Sequence, residues 1–257
     1  MRIDVNAFVG AYPFRRVPGA SVEGLLRAMD RTGIDGAWVS HLPSLFWRDP
    51  MEGNAWLHQA AASTDRLRPV AAVHPGLAGW AAVLGDAADH GAPAVRCDPH
   101  YYGIDAAGPE MRVLAAACGA AKLPLMMAVR LEDGRQRHVN DRAAELSAAQ
   151  VRALIRGDGH VRLVITHADR GFVEEVHFGS TPEEAARLWW DVSWIWGPPE
   201  DQLETLLGTI GVDRFVFGTG QPLRIPENSV AKLDLLALGP HERAAIESGN
   251  LEKGLAA

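Results

Sequence analysis

The sequence predicts a single (β/α)8 barrel, and three observations carry that expectation. Short β-branched or apolar runs alternate with longer amphipathic ones, the pattern of parallel strands joined by helical crossovers. Eight such strand candidates occur. The chain has 257 residues, close to the length of about 250 typical of this barrel. No Gly/Ser-rich linker, charge block or low-complexity tract divides it, so residues 1–257 read as one domain. The competing architecture is an open, doubly wound parallel sheet; eight repeated units favour closure.

The candidate strands are Ile3–Val9, Gly36–His41, Pro69–His74, Ala94–Cys97, Leu125–Val129, Arg162–His167, Trp190–Trp194 and Phe215–Thr219. Each is a short apolar or β-branched run. In the first, period-two alternation predicts that Asp4, Asn6 and Phe8 point into the barrel, while Ile3, Val5, Ala7 and Val9 meet the helices. Helix Ser21–Arg31 opens on a capping serine and carries Glu23 in its first turn. Ala55–Thr64, Trp80–His90, Met111–Ala121, Ala144–Arg156 and Gln202–Thr209 follow. Thr181–Leu188 begins Thr-Pro-Glu-Glu, an N-cap, a proline at the first helical position and acids in the first turn. A further helical segment follows the last strand.

The composition, 47% hydrophobic and 22% charged, excludes a disordered chain, a coiled coil and a collagen-like fibre. A net charge of −7 argues against non-specific nucleic-acid binding, which needs a basic surface. The longest apolar run, Val113–Val129, is interrupted by Lys122 and Pro124 and reads as helix, turn and strand rather than a membrane span. The opening residues lack the apolar stretch of a signal peptide. Cys97 and Cys118 allow neither a disulfide framework nor a zinc knuckle. These features point to a soluble protein in a reducing, cytoplasmic setting; a homo-oligomer remains compatible with them.

In such a barrel the active site lies at the C-terminal ends of the strands. The residues there are polar: Asn6, His41, His74, Arg96 to His100, Arg130, His167, Asp169, Ser193, Thr219 and Gln221. His167 ends the sixth strand and suits proton transfer or substrate binding. The segment Arg130–His138 packs three arginines, Glu132, Asp133 and His138 into nine residues. Arg130 or Arg135 would clamp a carboxylate through the planar guanidinium, and Asp133 or His138 would move protons. Its bland alternative is a solvated charged loop. The segment Arg96–Gly103 offers Arg96, Asp98, His100 and Tyr101, or is simply a structured Asp-Pro turn. In the run Trp189–Trp196 the tryptophans pack on outer helices, or Trp194 or Trp196 walls an aromatic or apolar pocket. Neither Cys97 nor Cys118 has a nucleophile signature. Nucleophile elbows, Walker loops and dinucleotide fingerprints are missing.

Several strand ends resemble those of the amidohydrolase-related barrels, the amidohydrolase 2 type, which includes metal-dependent hydrolases and decarboxylases of small aromatic acids. Ile3-Asp4-Val5-Asn6-Ala7-Phe8-Val9-Gly10 resembles the family's first strand, Leu123–Ala128 its fifth and Val164-Ile165-Thr166-His167 its sixth. Phe217-Gly218-Thr219-Gly220-Gln221-Pro222 resembles its closing Gly-Ser/Thr-Asp-x-Pro motif, and Ser248-Gly249-Asn250 its C-terminal helix start. The resemblance implies metal ligands at positions that here read Asn6, Phe8, Ala128, His167 and Gly220. Four of the five lack a competent ligand, and zinc catalysis needs about three protein ligands. The expectation is therefore a divergent member without the family's metal or any other cofactor.

The function expected is a small-molecule hydrolase acting without the usual metal. His167 with Asp133 or His100 would transfer protons. Asn6, Arg96, Tyr101, Arg130, Arg135, His138, Trp194 and Gln221 would bind a small anionic substrate. Two alternatives stand beside it: a non-catalytic binding barrel, and a hydrolase or decarboxylase with a relocated metal held among His41, His74, His100, His138 and His167.

Overall fold

The computed structural model describes residues 1–255. Nine strand segments occupy eight barrel positions: β1 (Ile3–Val9), β2 (Gly36–His41), β3 (Leu67–Pro69), β4 (Ala71–Ala72), β5 (Val95–Arg96), β6 (Leu125–Ala128), β7 (Leu163–Thr166), β8 (Leu188–Asp191) and β9 (Phe215–Val216). β3 and β4 are two halves of one strand, broken at Val70, whose N–H donates to the Val39 carbonyl at 2.8 Å. Among the described residues all strand pairings are parallel, β1-β2-β3 and β4 through β9. The ring closes where Val5 N–H donates to the Phe217 carbonyl (3.0 Å), Phe8 N–H to Gln221 (2.7 Å) and Gly220 N–H to Asn6 (2.9 Å). The fold is a (β/α)8 barrel, as the alternation predicts, and the open sheet is set aside.

The floor of the barrel is an apolar layer with one residue from each position: Val5, Trp38, Val70, Ala94, Met126, Val164, Trp189 and Val216, closed beneath by Leu251 and Leu255. This corrects the alternation expected for β1. Its pairing with β2 shifts register between Asp4 and Ala7, so that Val5 and Asn6 share one partner position. A bulge of this kind reverses the phase of the strand. Ile3 and Val5 therefore pack with the floor, Asn6 and Phe8 also face inward, and only Ala7 and Val9 join the outer core.

The helices are α1 (Val22–Thr32), α2 (Gly53–Ala61), α3 (Trp80–Asp89), α4 (Pro99–Tyr102), α5 (Pro109–Ala120), α6 (Ala148–Gly157), α7 (Arg170–Phe178), α8 (Pro182–Ala185), α9 (Gln202–Ile210), α10 (Pro226–Leu235) and α11 (Pro240–Ala244). Ser21 caps α1 by accepting the Gly24 N–H, and Ser147 and Thr181 form capping boxes on α6 and α8. The sixth crossover is chiefly α7, capped by Asp169 accepting the Phe172 N–H at 3.0 Å. The segment expected as helix Thr181–Leu188 is instead the short α8 followed by the start of β8.

Candidate active site

The polar site is built just above the floor, from the C-terminal ends of β1, β5, β7 and β8. Asp191 ends β8 and is fully buried. One carboxylate oxygen accepts the His167 backbone N–H and the other the Asn6 side-chain amide, both at 2.9 Å. The Asn6 Oδ1 accepts Arg96 Nη2 at 2.9 Å. The Arg96 guanidinium lies 4.6 Å over the Phe8 ring, and its Nη1 is 3.8 Å from Asp98 Oδ2. Asp98 Oδ1 accepts the Ala128 N–H at 2.7 Å. Beneath this chain Asp4 accepts from Thr219 Oγ1 (2.5 Å), Thr219 N–H (3.0 Å) and Asn6 N–H (2.9 Å). Burial outweighs these bonds and raises the Asp4 carboxyl to about 6.

His167 has 0% exposure and a φ of 56°. That left-handed conformation is strained for a residue with a Cβ, and such strain concentrates at functional sites. The conformation is held by the bond from its own N–H to Asp191. Its Nδ1 lies 2.7 Å from the Arg130 carbonyl. A carbonyl only accepts, so Nδ1 carries the proton and Nε2 the lone pair. Nε2 has no partner. Burial lowers the imidazole to about 4, against the opposing pull of Asp191, so the ring is neutral at pH 7. Gly220 faces it: a Cβ there would lie 2.8 Å from Nε2, and the glycine φ is +73°. Only a residue without a side chain fits this approach.

Trp194 packs beside His167. Its ring is 5.5 Å from the imidazole and lines a cavity of about 200 Å3 with Leu131, Glu132, Asp133, Trp196 and Arg224. The Arg224 guanidinium stacks 3.6 Å over Trp194. Among the described residues it forms no salt bridge and its Nε is unpartnered, while Asp191, Asp133 and Glu132 act on its charge from farther off. Arg224 went unread in the sequence. It follows Gln221-Pro222 in an irregular turn without periodicity, and the Gly218-x-Gly220 pattern before it was the only signal nearby.

The other expected residues are placed as follows. Arg130 is committed to Asp169 (2.9 Å) and Glu145 (3.1 Å). Arg135 is exposed and chelates Asp133 through bonds of 3.0 and 2.8 Å. That clamp holds the Asp133 carboxyl well below its ordinary range, so Asp133 is an anion at the rim rather than a proton carrier. His138 is exposed and stacks on Phe14 at 5.1 Å. Tyr101 donates to Asp141 (3.1 Å), which also holds Arg137. Gln221 Nε2 reaches only the Gly19 carbonyl, at 3.4 Å. His100 is packed beside Tyr101 with both ring nitrogens buried and unpartnered, and burial lowers its pKa. No hydrogen bond joins it to His167. Trp190 and Val192 pack outward, whereas Trp189 lies in the floor and Trp194 in the mouth.

The residues present do not fit a divalent metal. Phe8 presents its ring face to a guanidinium where a ligand is expected, Ala128 and Gly220 offer no donor, and Asn6 Oδ1 is bonded to Arg96. Among the described residues no three His, Cys, Asp or Glu side chains converge. The five histidines of the relocated-metal reading are dispersed: His41 is bonded to Ser44 (2.9 Å) and packed on Trp47 and Trp56, and His74 stacks on Tyr102.

No protein-family model and no curated protein matches the sequence. Solved structures match along the whole chain. A 2,6-dihydroxybenzoate decarboxylase from Rhizobium superimposes with a TM-score of 0.75 at 14% identity, covering 99% of this chain and 98% of that one. A 5-carboxyvanillate decarboxylase from Sphingomonas paucimobilis gives 0.74 at 13%, covering 99% and 98%. A putative 2-pyrone-4,6-dicarboxylic acid hydrolase from Pseudomonas putida gives 0.67 at 21%, covering 95% and 93%. At these identities the likeness establishes the barrel fold that this chain shares with them.

Proposed function

We propose that this barrel is an enzyme acting on a small, carboxylate-bearing molecule at its C-terminal mouth, as a hydrolase that uses no divalent metal. The observation that carries the reading is the pairing of an unpartnered imidazole lone pair, His167 Nε2, with an arginine that forms no salt bridge among the described residues, Arg224, both packed against Trp194 and both close to Gly220. Arg224 binds the substrate carboxylate. His167 Nε2 takes a proton from the water that adds to an ester or lactone carbonyl, and returns it to the leaving oxygen as that C–O bond breaks. Losing carbon dioxide from an aromatic acid requires a proton donor at the departing carbon, and an imidazole lowered to about 4 is mostly unprotonated at pH 7. This favours hydrolysis over decarboxylation. The matched structures, two decarboxylases of aromatic acids and a putative dicarboxylic acid hydrolase, agree with an acidic substrate.

One observation favours a non-catalytic barrel. Phe8, Tyr12, Leu42, Leu45, Ala128 and Leu131 form a buried apolar cluster over the polar site. The deciding experiment presents purified protein with a panel of carboxylated lactones and esters, alongside hydroxybenzoates, and follows acid release and carbon dioxide separately. Acid release that falls by roughly 10²–10⁴ in His167→Ala supports the reading. Carbon dioxide release reassigns the chemistry to decarboxylation. Tight binding of the panel without turnover supports the non-catalytic barrel.

A further inference from the structure

Three carboxyl side chains are buried in the polar layer, Asp4, Asp98 and Asp191, each with 1% exposure or less. An unpaired charge in such surroundings is expensive. Asp4 is capped by Thr219 and Asn6. Asp98 and Asp191 each accept backbone or amide hydrogens but touch no cation within hydrogen-bond distance. Asp98 faces the Arg96 guanidinium at 3.8 Å, and Arg96 is itself 2% exposed; Asp191 lies in the combined field of Arg96, Arg224 and Lys232.

Arg96 sits where the resemblance places a metal. Its guanidinium bonds Asn6 Oδ1 and covers the ring of Phe8, the two β1 positions that carry metal-binding histidines in the resembled family. The carbonyl lone pair of Asn6 and the negative face of the Phe8 ring are a donor set suited to a flat organic cation. They are poorly suited to a small divalent one. We propose that the Arg96 guanidinium is the resident cation of this barrel, covalently supplied by β5 in the place of a divalent metal ion, and that it sets the charge balance holding Asn6, Asp98 and Asp191 in register. The proposal is independent of the reaction.

The geometry makes the role specific to charge rather than to bulk. Arg96 uses one hydrogen, on Nη2, for a hydrogen bond; Nε and Nη1 have no partner, and Nη1 stands 3.8 Å from Asp98 Oδ2. A group kept only to fill space would be replaceable by a hydrophobe, an exchange that is often neutral or stabilising at buried ion pairs. A resident cation is not replaceable in that way, because the buried Asp98 carboxylate remains.

The test is chemical rescue of Arg96→Ala, read as thermal unfolding with methylguanidinium and with its neutral isostere methylurea. Arg96→Ala should unfold roughly 6–20 °C below the parent protein, the scale of an uncompensated buried charge in a chain of this length. Millimolar methylguanidinium should recover several degrees, methylurea none, and the parent protein should respond to neither. Equal rescue by both compounds, or no destabilisation at all, overturns the proposal. Should Arg96→Ala not fold, Arg96→Lys and Arg96→Met are compared: Lys above Met in unfolding temperature supports the resident cation, and Met equal to or above Lys overturns it.

Discussion

Asp191 joins His167 to Asn6: its two carboxylate oxygens hold the backbone N–H of the residue that follows β7 and a side-chain amide on β1, each at 2.9 Å. The distance between these residues in the chain is large, yet one side chain fixes both the strained turn of His167 and the inward face of the bulged first strand. Asp191→Asn exchanges a pure acceptor for an amide that must turn one NH2 toward a donor. A charged hydrogen bond contributes about 1.5–3 kcal/mol, so the variant should lose at least that much stability by denaturant titration and release His167 from its left-handed conformation.

Gly220→Ala places a methyl group 2.8 Å from His167 Nε2 at a φ of +73°. Backbone strain alone costs roughly 1–3 kcal/mol, and the contact adds to it. Combining it with His167→Ala should return the contact part only. A double-mutant cycle by calorimetry checks this, with a coupling energy of the opposite sign to the single costs expected.

Arg224 and Arg135 lie within the same cavity wall but differ in freedom. Arg135 is clamped by Asp133, whereas Arg224 stacks on Trp194 and makes no salt bridge among the described residues. Arg224→Lys should weaken a small carboxylate ligand about 10- to 150-fold through loss of the two-donor fork. Arg135→Ala should leave affinity unchanged. Titration calorimetry with matched carboxylate and carboxamide ligands distinguishes the two.

Acidification acts on three buried groups in opposite senses. Burial lowers His41 and His167 to about 4, so their stabilisation is complete above the unfolded histidine value near 6.5 and is lost as pH falls toward 4. Asp4 is raised to about 6, so its contribution is complete below the unfolded carboxyl value near 3.9 and is lost as pH rises through 6. Between 4 and 6 Asp4 therefore offsets one histidine. Asp4→Asn should lose stability more steeply on acidification in that window, by up to ~1.4 kcal/mol per pH unit, as read from unfolding free energies across the range.

Lys232 on α10 donates its ammonium to the carbonyls of Val192 (3.0 Å) and Ser193 (2.9 Å), tying the helix to the end of β8. Burial lowers its pKa to about 7. Lys232→Met should preserve the packed stem while leaving both carbonyls unpaired, at roughly 1–3 kcal/mol each. Hydrogen exchange at Trp194 and Ile195 should then rise ahead of exchange in β6 and β7.

Elements with strong periodicity were legible in the sequence. β1, β2 and the cap of α1 match their expected bounds because alternation and Ser21 were local signals. β8 begins two residues earlier than expected, since four tryptophans within Trp189–Trp196 hide which of them faces the floor. The bulge at Val5 and Asn6 leaves no mark in composition, because it depends on the partner strand. His167 was legible as a polar strand end. Asp191 was obscured by its aromatic neighbours, and Arg224 by its irregular turn. The crowding of arginines in Arg130–Arg137 was misleading because Arg135 and Arg137 are held by Asp133 and Asp141 of the same loop, and Arg130 by Glu145 and by Asp169 beyond β7.

The bulge in β1 also makes the polar site unusually easy to erase. Val5 serves the apolar floor and Asn6 the charged layer from adjacent positions. Deleting one residue here would restore regular pleating and turn one of the two away from the axis. A single lost codon could thus silence the site while leaving the barrel, its composition and its charge almost as they were, so the reading frame of one strand guards the chemistry more closely than any one side chain.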